Sequence, residues 1–192
     1  MNIARLIIVA LCAALISCSA STPTRTQYLL RTEATARSVQ VEAPVRIGLA
    51  NVTIAPYLRQ SGIVVATEDG QVRVAKQHLW AEPLDAGLRS YLRAEISDKL
   101  GYDISSTNSD KPEWEYTVDV YVDRLHGTMA GTAALDVSYQ ISDQSSGGKI
   151  MDYRFSDSEN LDRKGYSGLV DAQRSLVQKL AQAIADSLAE LR

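Results

Sequence analysis

Alternating and continuous apolar positions in the first half of the chain predict a set of short strands. Four segments have the pattern typical of strands: residues 27–30, 45–54, 63–67 and 71–75. The second of them has an irregularity near Ala50-Asn51, where the alternation slips. Between the last two stands Asp69-Gly70, a pair that favours the positive φ angles of a tight β-hairpin turn.

A long amphipathic helix is predicted over residues 83–100. Its apolar residues recur at every fourth position and form one stripe, with Tyr91 beside it: Leu84, Leu88, Leu92, Ile96 and Leu100. Pro83 suits the first helical position, where its missing N–H has no partner, and Gly101 suits the C-terminal stop. Glu82 and Asp85 place negative charge at the positive end of the helix dipole.

Three further alternating segments predict an antiparallel meander: residues 116–123, 135–142 and 151–155. Turns at residues 127–131 and 144–148 connect them. Apolar residues at helical spacing from Leu169 to Leu191 then predict a second helix, for which packing on the sheet is favoured over a membrane-active or coiled-coil role. The sequence therefore predicts the α/β fold class, as a single domain with a mixed β-sheet of about six or seven strands packed by two long α-helices.

Composition narrows the classes of function. A length of 192 residues, with 45% apolar and 22% charged residues, is typical of one globular domain. A formal net charge of −3 argues against a nucleic-acid partner, because such proteins need a basic face. Two cysteines and two histidines supply neither a disulfide framework nor a zinc site, so no metal and no cofactor are expected.

The first residues have the layout of an export signal. Arg5 precedes an apolar run over residues 6–16, which is shorter than the 20 or so residues of a membrane span. Leu15-Ile16-Ser17-Cys18 then resembles the bacterial lipobox, which implies cleavage before Cys18 and acylation of its thiol. The alternative is a buried N-terminal helix with a chance cysteine. The predicted organisation is a lipoprotein signal peptide (1–17), a lipidated flexible tether (18–27) and one folded domain (28–192).

Acylation of Cys18 would attach the protein to a membrane without crossing it. Several acyl chains, each contributing about 0.8 kcal/mol per buried CH₂, anchor a protein firmly in the bilayer. Ser19 favours the outer membrane, because Asp at that place directs enterobacterial lipoproteins to remain in the inner membrane. The ten residue steps from Cys18 to Tyr28 reach about 33 Å at most, so the folded domain is expected close to the membrane surface.

Candidate catalytic chemistry is scarce. The chain has no G-x-G-x-x-G, P-loop, H-E-x-x-H or G-x-S-x-G motif. His78 and His126 are interpreted as residues without a catalytic role. Asp119 and Asp123, about 13 Å apart along one strand, are too distant for a carboxylate pair and are interpreted as solvated or as partners in an inter-subunit salt bridge. No catalytic residue is predicted, and the protein is not expected to be an enzyme.

Two apolar clusters stand in surroundings typical of loops. Pro56-Tyr57-Leu58 follows a predicted strand, and residues 78–84 lead into the first helix. Each cluster either caps the core or forms a surface for another protein, since aromatic residues are enriched in interfaces. The candidate partner-binding residues are Tyr57, Leu58, Trp80, Glu82 and Pro83.

These segments, taken in order, resemble a known family. The lipobox is followed by four stretches: Tyr28-Leu29-Leu30, Pro56-Tyr57-Leu58, Ile63-Val64 and Trp80-Ala81-Glu82-Pro83-Leu84. This order resembles the ABC-type transport auxiliary lipoprotein family over residues 28–192. The sequence departs from many relatives at Leu79, where they carry Arg, and at Arg59, which directly follows Tyr-Leu where they have Asp-Arg.

The resemblance implies a non-catalytic outer-membrane lipoprotein of an MCE-type system that transports lipids between membranes. Its implied partners are a periplasmic MCE-domain protein, which it would dock at the outer membrane, and the inner-membrane transporter of that system. It would be lipid-anchored, face the periplasm and form a homo-oligomer. Two alternatives are a periplasm-facing lipid-binding protein with a cavity between sheet and helices, and a structural envelope lipoprotein.

Overall fold

The computed structural model describes residues 24–31, 43–67, 69–105 and 114–191. In this part of the chain the strands and helices are β1 (Thr26–Tyr28), β2 (Ile47–Ile54), β3 (Gly62–Ala66), β4 (Val72–Trp80), α1 (Leu84–Leu100), β5 (Tyr116–Thr128), β6 (Thr132–Asp143), β7 (Lys149–Asn160) and α2 (Tyr166–Ala189). A short 3-10 helix, Pro56–Leu58, follows β2. The predicted signal peptide, Cys18 and most of the tether lie outside the described residues.

The strands form one mixed sheet in the order β1-β4-β3-β5-β6-β7. β5 carries β6 along one edge, and β2 and β3 pair in parallel with successive parts of its other edge. The antiparallel meander of β5, β6 and β7 is confirmed, as is the β3–β4 hairpin. The predicted α/β class, with a mixed sheet and two long helices, is therefore confirmed.

The two helices pack on one another. In addition, α1 packs against β2, and α2 packs against β5, β6 and β7. The α1 stripe is buried from Leu84 to Ile96, and the apolar residues of α2 are at most 5% exposed: Leu169, Leu176, Leu180, Ile184 and Leu188. This burial confirms that α2 packs on the sheet. Within the described ranges, no helix has the length and apolar character needed to cross a membrane.

Local signals in the sequence place several boundaries correctly. The β2–β5 register shifts between Leu49 and Asn51, at the predicted irregularity. Gly70 turns the β3–β4 hairpin with φ 71°, and Gly101 ends α1 with φ 83°. Pro83 occupies the N-cap instead of the first helical position, and its carbonyl accepts the first helical hydrogen bond from Gly87 at 3.0 Å.

Two segments predicted as loops belong to strands, because their backbones pair with neighbouring strands of the sheet. Residues 78–80 belong to β4, since β1 pairs in parallel with this part of β4 and places Tyr28 opposite Trp80. The predicted turn at 127–131 starts too early, because Gly127 is still paired with β6 and with β3. The turn itself closes where the Gly131 N–H donates to the Thr128 carbonyl at 3.2 Å.

Candidate protein-contact site

The segment that follows the first of the two clusters meets the second cluster at one corner of the fold. The Trp80 N–H donates to the Ser61 carbonyl at 2.7 Å, which joins the end of β4 to the segment after the 3-10 helix. The Ala81 N–H donates to the Tyr28 carbonyl at 2.8 Å, which adds β1 to the same corner. The result is a cleft of about 390 Å³, lined by Ile54 and by residues 59–61 and 80–85. We call it the corner cleft.

The predicted contact residues divide by burial. Leu58 is 1% exposed and Trp80 is 8% exposed, so both side chains are core residues, and Trp80 also contributes to the lining of the cleft. Tyr57 and Glu82 are half-buried, whereas Pro83 is exposed. The core-capping alternative therefore holds for Leu58 and Trp80, and their hydrophobic burial explains why large apolar residues stand next to turns.

Glu82 lines the corner cleft and has unused hydrogen-bonding capacity among the described residues. One carboxylate oxygen, Oε2, lies 3.6 Å from the Arg31 guanidinium in an ion pair that is open to solvent and stabilises the fold little. The other, Oε1, is buried and accepts no hydrogen bond from the described residues. Gly87 leaves room for it, since a Cβ there would come within 3.3 Å of Oε1. A buried acceptor without a donor is uncommon in folded proteins, which makes this carboxylate a candidate functional group.

Tyr57 lies away from the cleft and covers part of the opposite face of the sheet. Its hydroxyl donates to the Asp123 carbonyl at 3.4 Å, and its ring lies 6.3 Å from the His126 ring. Burial raises the pKa of Tyr57 and lowers the pKa of His126, because each charged form would lose water. His126 is 9% exposed and lies inside β5.

Acidification should destabilise the protein through His126. Its lowered pKa means that, below about pH 6.5, the unfolded chain binds a proton that the folded chain resists, so stability falls by up to 1.4 kcal/mol or so per pH unit. Urea unfolding at pH 7.5, 6.5 and 5.5 would measure this slope. His126→Gln should flatten it relative to the parent chain, and equal slopes for the parent chain and H126Q would contradict the prediction.

The carboxylates on β5 are bound within the chain. Asp119 accepts a hydrogen bond from the Asn51 amide at 2.6 Å, and Asp123 accepts one from the Ser138 hydroxyl at 3.2 Å. Each therefore has a hydrogen-bond donor on an adjacent strand, and the inter-subunit salt bridge stays a prediction. Among the described residues, no group of three His, Cys, Asp or Glu side chains is placed to hold a metal ion.

An aromatic cluster that the sequence did not indicate fastens β1 to α2. The Tyr28 hydroxyl lies 3.1 Å from His78 Nδ1, and the His78 ring stacks on Tyr166 with centroids 4.2 Å apart. Arg174 of α2 donates to the Leu29 carbonyl at 2.6 Å. These residues are far apart in the chain, so no local pattern could have grouped them. They hold β1, whose first two residues, Thr26 and Gln27, are the last two of the predicted tether.

The open face of the sheet carries a concavity of about 890 Å³. Its lining includes Asn51, Asp119, Tyr121, Gln140 and Arg154, which are polar or amphipathic. Val120, Tyr139 and Tyr153 contribute to the lining as well, so the concavity is mixed in polarity. Between sheet and helices, where the lipid-binding alternative expects a cavity, the side chains are buried and packed together.

Comparison with known proteins gives consistent results. A family model described as the ABC-type transport auxiliary lipoprotein component matches residues 28–185. The chain is 27% identical over 141 residues to the intermembrane transport lipoprotein PqiC of Escherichia coli strain K12, and the match covers 73% of each protein. PqiC of Shigella flexneri matches equally well.

Solved structures share the fold. A crystal structure of an uncharacterized protein is 25% identical, with a TM-score of 0.72, and the match covers 86% of this chain and 99% of that one. A Xanthomonas campestris protein is 15% identical, with a TM-score of 0.63, and the match covers 86% of this chain and 93% of that one. The corner cleft lies within the region that the family model spans.

Proposed function

The chain belongs to the family of ABC-type transport auxiliary lipoprotein components, and on that basis we propose that it docks a periplasmic MCE-domain protein at the outer membrane. The relatives in Escherichia coli and Shigella flexneri are intermembrane transport lipoproteins. In the proposed role the protein has no catalytic step, acts as a homo-oligomer and links the MCE protein and its inner-membrane transporter to the outer membrane.

Attachment through Cys18 is the first part of this proposal. The fold supports it, because β1, in which the predicted tether ends, is held on several sides. β1 pairs with β4, the Tyr28 carbonyl accepts from Ala81, and Leu29 accepts from Arg174 on α2. A pull from the membrane through the tether would therefore be carried by both the sheet and a core helix. The folded domain would remain within about 33 Å of the acylated residue.

Docking through the corner cleft is the second part. The observation that carries it is the orphaned Glu82 Oε1 in a cleft formed by two segments that are distant in sequence. Arg59 and Pro83 are exposed at the same place. A carboxylate, a guanidinium and an apolar ring on one rim offer charge-assisted hydrogen bonds together with apolar contact, a combination found at protein interfaces.

Removing the polar groups of the cleft should weaken assembly. We expect Glu82→Ala combined with Arg59→Ala to reduce the MCE protein recovered with the full-length lipoprotein by about tenfold, since one interface hot spot corresponds to roughly 1–2 kcal/mol. Co-purification in mild detergent with quantitative blotting measures this. Lys99→Ala with Asp103→Ala is the matched control, because it removes two exposed charges at the opposite end of α1.

The outcomes separate docking from mere stability. A lower melting temperature with unchanged recovery would show that the cleft is only structural. Failure of the parent chain to recover any MCE protein, with both proteins abundant, would refute the docking role. Whole-cell crosslinking to peptidoglycan or to outer-membrane proteins alone would then favour a structural envelope lipoprotein.

A further inference from the structure

Apolar side chains are exposed together at one end of the sheet. Of the six large apolar side chains that the described residues expose, three lie where the β3–β4 hairpin turns: Val72, Val74 and Met129. The other three lie elsewhere: Leu29 after β1, Tyr121 within β5 and Ile150 near the start of β7. We call Val72, Val74 and Met129 the hairpin end. Apolar side chains concentrated at one exposed place are typical of a contact surface.

Strand pairing brings the hairpin end together from distant parts of the chain. Ala66 pairs with Val72 across the hairpin and with Thr128 of β5 on its other side. Neighbouring strands lie about 4.8 Å apart, so Val72 and Thr128 are about 10 Å apart. Met129 follows Thr128 directly and is 61% exposed. Val72 and Val74 are two residues apart in β4, so their side chains point to the same side.

Basic side chains accompany the apolar ones. Arg73 and Lys76 are exposed on β4, and Arg25 is exposed just before β1. The sequence of the turn includes two acidic residues, Glu68 and Asp69, so positive charge is in excess here although the whole chain has a net charge of −3. Apolar side chains flanked by cations suit the surface of a phospholipid bilayer, where apolar groups enter between the headgroups and cations meet the phosphates.

The chain enters the fold from the side of the hairpin end. β1 is parallel to β4 and pairs Thr26 with His78, so the residues before Thr26 lie toward the hairpin turn. Val72 stands six residues before His78, about 20 Å along β4. The eight residue steps from Cys18 to Thr26 span about 26 Å at most. A tether extended in this direction would therefore place Cys18 little beyond Val72, and any shorter path would bring the membrane closer to the hairpin end.

We propose that the hairpin end rests in the headgroup region of the phospholipid bilayer that holds the acylated Cys18. The inference rests on the attachment through Cys18 in the proposed function, and it adds a second contact with the same membrane. Val72, Val74 and Met129 enter the bilayer surface, and Arg73 meets lipid phosphates. The corner cleft lies at the other end of β4, beside Trp80, so this contact turns the cleft away from the membrane and toward the periplasm.

A fluorescent probe at residue 129 tests the contact in the full-length acylated protein. Met129→Cys supplies a thiol for an NBD fluorophore. Acylation blocks Cys18, and Cys12 leaves with the predicted signal peptide, so the label reaches residue 129 alone. In vesicles of phosphatidylethanolamine and phosphatidylglycerol, lipids that carry a nitroxide near the headgroup should quench this probe by at least half.

Ile150→Cys, labelled in the same way, is the matched control. Ile150 is apolar and 56% exposed, but it lies at the opposite end of the sheet. Its partner on β6 is Ser142, ten residues and about 33 Å along the strand from Thr132, which follows the turn that carries Met129. Nitroxide lipids should therefore quench a probe at residue 150 by less than a tenth.

Charge placed on the hairpin end should lift it from the bilayer. Val72→Asp combined with Val74→Asp should at least halve the quenching at residue 129, because carboxylates are costly to bury among acyl chains. Both side chains are exposed, so the circular dichroism spectrum should not change. The variant should still sediment with the vesicles, since its acyl chains are intact.

The outcomes distinguish this contact from the lipid anchor. Failure of the parent chain to sediment with the vesicles would refute attachment through Cys18, and the hairpin contact with it. Sedimentation without quenching at residue 129, or equal quenching at residues 129 and 150, would overturn the hairpin contact and leave the anchor standing. Protection of the probe only after the MCE protein is added would assign the hairpin end to a protein partner and would also overturn the proposal.

Discussion

Replacing Leu92 with alanine should lower the free energy of unfolding by about 3 kcal/mol. Leu92 lies in the middle of the buried α1 stripe and is 0% exposed, and α1 packs against both α2 and β2. Truncation removes its buried methyl groups and leaves a cavity that close-packed neighbours fill only in part. Because a domain of this size has only 5–15 kcal/mol of stability or so, the loss is a large fraction of the total.

Thermal unfolding followed by circular dichroism measures this loss. A change of that size corresponds to a fall in Tm of roughly 6–12 °C for a domain of this length. Leu29→Ala is the matched control, because Leu29 is 36% exposed and the same truncation there removes little buried surface. Equal shifts for L92A and L29A would contradict the assignment of α1 to the centre of the core.

Replacing Cys18 with alanine should remove the protein from the outer-membrane fraction. Without the thiol there is no acylation, and the signal peptide is not cut at this position. The variant should keep the mass of the precursor and gain no lipid mass in intact mass spectrometry. The acyl chains, at about 0.8 kcal/mol per buried CH₂, are the source of firm attachment, so their loss has a large effect.

A second variant separates acylation from export. Joining an ordinary cleavable secretion signal directly to Ser19 should release the folded domain into the periplasmic fraction, because the chain that follows the new signal contains no cysteine to acylate. Cys12→Ala is the control and should leave attachment unchanged, since residue 12 lies in the segment predicted to be removed. Retention of C18A in the outer membrane would refute the lipid anchor.

Local chemistry explains why much of the fold was predictable. The four-residue repeat from Leu84 to Ile96 defines a buried stripe before any partner is known, and Gly101 ends the helix because it adopts a positive φ. The hairpin turn at Asp69-Gly70 is similarly local. Strand lengths were less predictable: β4 and β5 extend beyond their apolar alternation because neighbouring strands supply hydrogen bonds.

The candidate site was only half predictable. The sequence singled out Tyr57 and Trp80 as unusual aromatics, but their roles differ: Trp80 is buried beside the corner cleft, and Tyr57 covers His126 on another face. Glu82 was selected as a helix-dipole and contact residue, whereas the lack of a donor to its Oε1 depends on the packing around Gly87.

By itself, the sequence determined the class of fold and the two helices, because both follow from short-range spacing along the chain. The order of its motifs also matched the family that the family model identified. Only the tertiary structure decided that residues 59–61 and 80–85 share a cleft, that β1 is fastened to α2, and that Met129 lies beside the β3–β4 hairpin turn. These features depend on which distant strands pair, and strand pairing is selected by burial of the whole apolar surface, not by any one segment.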